Sequence, residues 1–388
     1  MKFDFDTSPE RRGTASYKWD SAESRDIVPL WVADMDFRTA PAITEALHRR
    51  VDHGVFGYVR VPDDYYEALT GWFCRRHNWH FNRDEVIYTS GVVPAISAVI
   101  KALCREGDGV VLQTPVYNCF FSSVRNNGCH IIDSPLLRVD TPQGFTYRMD
   151  FEDLERCVSR PEVKAMLLCN PHNPAGRCWS ENELRHVAHI CARHGVVVVS
   201  DEIHCELTMP GHVFTPFDTV AEGCHFVVCN SPSKAFNTAG LQIANIICPD
   251  PGMRRDIDKA ININEVCDIN PFGVEALKAA YNESLPWLEQ LIEYLHGNYM
   301  FFRKFMSREL PKLQVAELEA TYLAWVDITP TGIKSDELEK YLLNNHQVWV
   351  NAGEMYGSEG FIRINLACPR SRLAEGLRRM AGGIKTLL

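Results

Sequence analysis

The sequence predicts an α/β protein with one large, mostly parallel sheet domain and a smaller α+β domain beside it. Three observations lead there. Short apolar or β-branched runs recur through the middle of the chain, amphipathic stretches separate most of them, and after about residue 284 the alternation gives way to an irregular mixture. A parallel strand pair needs a crossover long enough to hold a helix, so strands alternating with helices indicate a parallel sheet.

The runs read as strands are Glu85–Thr89, Gly109–Gln113, Val163–Cys169, Val196–Ser200, Phe226–Asn230 and Ile243–Cys248. Pro94–Cys104 and Ser180–His194 carry helical periodicity, and Ser180-Glu-Asn-Glu183 has the spacing of a capping box. Leu285–Glu309 reads as one long helix with Pro286 in its first turn. There follow a strand at Tyr322–Asp327, a helix at Ser335–Asn344, strands at Val348–Val350 and Gly360–Leu366, and a closing helix from Ser371. The expected large domain is therefore 46–284, and the small domain is 1–45 joined by 285–388.

Composition removes several function classes. The chain is 46% hydrophobic and 23% charged with a net charge of −10, which suits a globular protein and opposes binding to nucleic acid or an anionic membrane. No apolar core of a signal peptide opens the chain, and no apolar window is long enough for a membrane span. The 14 cysteines include no CxxC pair and read as reduced thiols of a cytoplasmic protein. Neither G-x-G-x-x-G, nor a P-loop, nor a G-x-S-x-G elbow occurs. His186 and His189 have a spacing zinc could use, but they lie on a polar helix without a third ligand, so no metal is expected.

In parallel α/β sheets ligands bind at the carboxyl edge. Four segments fall there. Ser231-Pro-Ser-Lys234 follows a strand; an amine in such a place is costly unless it is neutralised or bonded, and two serines beside it can donate to a phosphate. One lysine with phosphate donors is what pyridoxal phosphate requires, whereas the plain alternative is a surface loop lysine. Asp201 begins Asp-Glu-Ile-His204 at the end of another strand, where an anion could keep a pyridine nitrogen protonated; a helix cap would look the same. Asn170-Pro-His-Asn-Pro-Ala-Gly176 is a stiff turn able to hold an asparagine amide in place. Ser90-Gly91-Val92-Val93 joins a strand to a helix start, and its N–H groups suit an anion.

Taken in order, SGVVPA, PVYNCF, NPHNPAG, DEIH, SPSK and FIRINLA resemble the fold-type-I pyridoxal phosphate enzymes of the class I/II aminotransferase superfamily, whose large domain has a seven-stranded sheet. More narrowly, FDFDTSPERRGTASYKWD, PLWVADMDF and KAFNTAGLQIAN are similar to the MalY/PatB group of cystathionine β-lyases. The resemblance implies that Lys234 carries the cofactor covalently, Asp201 pairs with its pyridine nitrogen, Asn173 bonds its phenolic oxygen and Tyr117 stacks on its ring. It implies Gly91, Val92, Ser231 and Ser233 as phosphate donors, and places His204 near the phenolic oxygen. Tyr58 would reach the phosphate of a second subunit, implying a homodimer, and Arg363 would clamp the substrate carboxylate with its planar fork.

The activity so implied is α,β-elimination from L-cystathionine or a related cysteine S-conjugate, giving a thiol, pyruvate and ammonia. Lys234 would remove the Cα proton, and Lys234 or Tyr117 would supply the proton to the leaving thiolate. The first rival is an aminotransferase on the same cofactor. Such enzymes usually have an arginine eight residues after the lysine; here Gln242 stands there, which favours the lyase. A rival of another class is a regulatory protein that binds a transcription factor, as some members of the group do. Cys119 is a second departure, replacing a common proline in the loop of Tyr117, and is expected to loosen that loop. Trp31, Asp34 and Phe37 could line the distal pocket or belong to the core.

Overall fold

The computed structural model describes residues 2–22, 24, 26–265 and 268–388. Its central sheet has seven strands: β1 (Val86–Thr89), β2 (Gly109–Leu112), β3 (His130–Asp133), β4 (Val163–Cys169), β5 (Val197–Asp201), β6 (Phe226–Asn230) and β7 (Ala244–Ile247). They lie in the order β1-β7-β6-β5-β4-β2-β3. Strand β7 is antiparallel to both its neighbours, and the other pairings are parallel. The sheet is thus mostly parallel, as expected.

Every residue of β2, β6 and β7 is buried, as befits strands covered on both faces. Helix α1 (Val92–Leu103) covers one face through Val92, Ala95, Ile96, Val99 and Ile100, an i, i+3, i+4, i+7, i+8 stripe. Helix α2 is Asn118–Asn126, and helix α3 is Glu181–His194. The expected capping box is present: the Ser180 hydroxyl accepts from the Glu183 N–H, and the Glu183 carboxylate accepts from the Ser180 N–H at 2.9 Å.

The second layer begins with α4 (Leu285–Glu309), the expected long helix. An antiparallel sheet follows, β8 (Gln314–Val315), β9 (Leu323–Asp327), β10 (Asn351–Ala352) and β11 (Phe361–Asn365), in the order β8-β9-β11-β10. Helix α5 (Arg370–Ile384) closes the chain.

The N-terminal segment is threaded into this layer. Val28–Pro29 pairs in parallel with Val348–Trp349, and the Asp36 N–H donates to Ala367 O at 2.9 Å. A buried ion cluster holds it. The Lys18 amine lies 3.4 Å from Asp34 and 3.3 Å from Asp36, and Arg11 bonds to both acids. Trp19 is flanked by the guanidinium groups of Arg12 and Arg372 at 4.5 and 4.4 Å. Burial pushes the Asp36 carboxyl up, but Lys18, the Trp19 indole, Arg372 and Arg11 outweigh it and hold the pKa below its ordinary value.

A seam joins the two layers. Gly176, at φ +72°, accepts at its carbonyl from the N–H groups of Glu319 and Ala320, and the Thr321 N–H donates to Leu207 O. A Cβ at Gly176 would lie 2.9 Å from Leu318 Cδ1 and 3.1 Å from Glu317 O, so only glycine lets the loop approach.

Candidate active site

The carboxyl ends of β1, β4, β5 and β6 open onto one pocket. All four strand-end segments singled out in the sequence contribute to its wall: Ser90 to Pro94, Asn173, Asp201 with His204, and Ser233 with Lys234. Tyr117, the N-cap of α2, completes it. Cys119 stands in the first turn of α2, so the loop of Tyr117 continues directly into helix.

Lys234 lies four residues beyond β6 and donates from Nζ to Ala33 O at 2.7 Å. Burial pushes its amine down to about 8; Arg363 adds to the shift, and Asp34 and Asp201 oppose it. A lysine so placed holds a neutral fraction near pH 7, which a nucleophile or base needs.

Asp201 ends β5 and is 3% exposed. Its Oδ1 accepts from the Ile203 N–H at 3.1 Å, and among the described residues no cation bonds to it. Burial raises its pKa to about 7. Next to it, burial raises Glu202 to about 8, although the Phe217 N–H and Ser200 hydroxyl each bond to it at 2.9 Å. Glu202 thus anchors the loop before Phe217, while Asp201 faces the pocket.

Arg363 sits on β11 at 3% exposure. Its Nη1 donates to Asn173 Oδ1 at 3.2 Å and its Nη2 to Trp31 O at 3.0 Å. The Tyr356 ring lies 4.7 Å below the guanidinium, and Nε has no partner. Among the described residues no acid pairs with Arg363. A buried guanidinium held only by neutral groups leaves its charge available to an incoming carboxylate. Because Asn173 turns its oxygen to Arg363, the NH2 end of the same amide remains a donor.

His204 is also buried, and burial pushes its pKa well below the ordinary value, with Lys234 and Arg363 adding to the shift. Its Nδ1 has no partner, and its ring meets Tyr322 edge-on at 6.2 Å. The Tyr117 phenol is raised by burial and then by Cys119 beside it.

Two sequence-picked residues lie elsewhere. The Ser231 hydroxyl donates to Ile243 O at 2.6 Å and accepts from the Ser233 N–H, so it ties the turn together and is absent from the pocket wall. Tyr58 is 94% exposed and is likewise not part of the wall. Of the three distal-pocket residues, Phe37 packs in the core against Phe5 and Tyr294, while the Trp31 ring stacks on Trp349 at 4.1 Å. Ala33 and Tyr322 were not anticipated. Ala33 acts through its carbonyl, which carries no side-chain signature; Tyr322 reaches that same oxygen at 3.0 Å from the start of β9.

A recessed lysine, an acid at the neighbouring strand end and an unpaired buried arginine, all at the edge of this α/β sheet, define a family. The chain belongs to the aminotransferase class I and II family, whose model matches residues 25–380. Within it, the chain is 42% identical to cystathionine beta-lyase PatB of Bacillus subtilis (strain 168), covering 98% of this chain and 99% of that one. It is 34% identical to protein MalY of Escherichia coli (strain K12), covering 99% and 100%. Among solved structures it matches cystalysin from Treponema denticola, which contains a pyridoxal 5'-phosphate cofactor, with a TM-score of 0.95, 33% identity and full coverage of both chains.

The residues present fit that cofactor. Asp201 is a buried carboxylate lacking a cation, the partner a protonated pyridine nitrogen would be. Val92 and Val93 of the first turn of α1 line the pocket, and their N–H groups precede the first bond within the helix, from Ala95 N–H to Gly91 O, which suits a phosphate.

Proposed function

We propose that the chain is a pyridoxal phosphate-dependent carbon–sulfur β-lyase that cleaves L-cystathionine or related cysteine S-conjugates to a thiol, pyruvate and ammonia. The arrangement of Lys234, Asp201 and Arg363 around one pocket carries the reading. The full-length similarity to cystathionine beta-lyase PatB supports lyase chemistry over transamination. Gln242, exposed at the pocket rim where aminotransferases of this fold usually have arginine, points the same way.

Lys234 would hold the cofactor through Nζ, Asp201 its ring nitrogen, Asn173 its phenolic oxygen through Nδ2, and Gly91, Val92 and Ser233 its phosphate. Tyr117 would cover one ring face, and the neutral His204 would sit near the phenolic oxygen. Ser231 would act indirectly, by shaping the turn that presents Ser233. Bound there, the cofactor supplies a sink for the electron pair left when a proton leaves Cα. Arg363 binds the substrate carboxylate and fixes which bond faces Lys234. Once free, the Lys234 amine takes the Cα proton as a base, since burial already favours its neutral form. Lys234 or Tyr117 then delivers a proton to the sulfur leaving from Cβ.

The large domain of this enzyme would be 46–284, and the small domain 1–45 with 285–388. A homodimer is part of the proposal. Val51, Val55, Phe56 and Tyr58 form an exposed apolar run, which suits burial against a second copy with Tyr58 reaching the partner's phosphate site. The thirteen described cysteines are all free, which suits a reducing cytoplasm. Among the described residues no helix is long and apolar enough to cross a membrane.

Incubation with L-cystathionine, and separately with an amino acid and keto acid pair, tests the assignment. Pyruvate with free thiol is expected from the first, and accumulating pyridoxamine phosphate in the second would replace the lyase with a transaminase. Lys234→Ala should abolish turnover and the visible band of lysine-bound cofactor. Retained turnover would sink the assignment.

A further inference from the structure

The carbonyls of residues 31–34 point two ways. Trp31 O accepts from Arg363 Nη2 at 3.0 Å and from Asn351 Nδ2 at 2.9 Å. Ala33 O accepts from Lys234 Nζ at 2.7 Å and from the Tyr322 hydroxyl at 3.0 Å. The two carbonyls between and after them, Val32 O and Asp34 O, both accept from the Asn365 amide, at 2.5 and 2.7 Å. Asn365 has no freedom left: both its N–H groups are used, its Oδ1 accepts from the Ala367 N–H at 2.7 Å, and it is 1% exposed.

Asn365 stands two residues after Arg363 on β11, so the two side chains leave the same face of one strand. That face supplies the guanidinium, and it also supplies the amide that fixes the backbone on which Lys234 rests. A carbonyl only accepts, so the neutral Lys234 amine must turn an N–H toward Ala33, which directs its lone pair away from that oxygen.

We propose that Asn365 is a positioning residue that sets the spacing and aim of Lys234 relative to Arg363 by holding the 31–34 backbone through Val32 O and Asp34 O. The proposal deepens the lyase reading and rests on its assignment of Lys234 as base and Arg363 as carboxylate clamp. Asn365 touches neither substrate nor cofactor. Its effect passes through two main-chain oxygens, and displacement of a reacting group by an ångström is enough to slow catalysis by about 100-fold.

The test uses the cofactor-loaded full chain and two variants. With Asn365→Ala, kcat on L-cystathionine should fall by about 10–100-fold. The Kd for glycine, which has no Cβ leaving group and is read from the visible cofactor band, should rise about tenfold as the Trp31 end relaxes. The acid limb of the kcat profile should move to lower pH, because the Lys234 ammonium loses a fixed acceptor. Tyr322→Phe removes a donor that competes for Ala33 O, so the limb should move to higher pH while the glycine Kd stays within about twofold. A packing defect alone would produce neither the opposed limb shifts nor this split between Kd and kcat.

Values for Asn365→Ala within about twofold of wild type, with an unmoved limb, overturn the proposal. If Asn365→Ala does not fold, Tyr322→Phe decides: an unmoved limb overturns it and an upward shift supports it. Lys234→Ala separates the two levels. Turnover retained there rejects Lys234 as the cofactor lysine and base on which the proposal rests, whereas turnover lost there with a silent Asn365→Ala rejects only the positioning role.

Discussion

Asp201→Asn should make the cofactor-free protein more stable and the enzyme inactive, and the stability gain should depend on pH. Burial raises the folded-state pKa of Asp201 to about 7 from an ordinary value of 3.8. A raised carboxyl favours the folded state while it stays protonated. Its contribution is fully present below the unfolded pKa and is lost as pH rises through the folded one. With about 1.4 kcal/mol for each unit of pKa, ionised Asp201 costs the cofactor-free fold on the order of 4 kcal/mol above pH 7. Asparagine does not ionise, and its Oδ1 can keep the Ile203 N–H bond seen at 3.1 Å. Relative to wild type, the Asp201→Asn variant should therefore be about equal in stability near pH 4 and more stable by about 2–4 kcal/mol at pH 8. Reversible urea unfolding of cofactor-free protein across that pH range measures the difference. A gain that is independent of pH, or larger at pH 4 than at pH 8, would refute the reasoning.

Other expectations follow from the same contacts. Arg363→Ala should raise KM for L-cystathionine by about 10–150-fold, the equivalent of a lost charge-assisted bond of ~1.5–3 kcal/mol; an unchanged KM and kcat/KM, from initial rates of pyruvate release, would remove Arg363 from the substrate site. Gly176→Ala should destabilise the chain by about 1–3 kcal/mol, since it combines a left-handed backbone with a Cβ 2.9 Å from Leu318 Cδ1, and thermal unfolding reads the loss.

Three of the strands that carry the site, β4, β5 and β6, were legible because they are almost wholly buried and so read as apolar runs, as at Phe226–Asn230; β1, at the sheet edge, is mostly half-buried and was legible from its β-branched and aromatic residues. The edge strand His130–Asp133 was missed: it is short, its ends are exposed and its sequence, HIID, has no such run. The hairpin Leu137–Thr141 with Gly144–Arg148 escaped as well: its first strand is mostly exposed, and in the second only Phe145 and Tyr147 are buried. Residues that act by chemical type, Lys234, Asp201 and Arg363, showed themselves by position after a strand or within a motif. Ala33 could not, because its contribution is a carbonyl oxygen that any residue has. Ser231 shows another side of the problem: the type of a hydroxyl beside the lysine does not reveal that the fold also bonds it inside its own turn.

The threading of residues 28–36 through the C-terminal layer has a consequence for biosynthesis. Trp31 O meets Arg363 across 332 residues of sequence, and the Leu30 carbonyl accepts from the Asn365 N–H. During translation the early segment must wait, its partners unmade, while the central sheet is already able to collect its strands from local neighbours. Only when β11 has left the ribosome can Lys18 and Asp36 be buried together and the Ala33 carbonyl be set against Lys234. Competence for chemistry is thus a late event in the life of each chain, and nascent chains halted before residue 365 should hold a formed sheet without a working pocket.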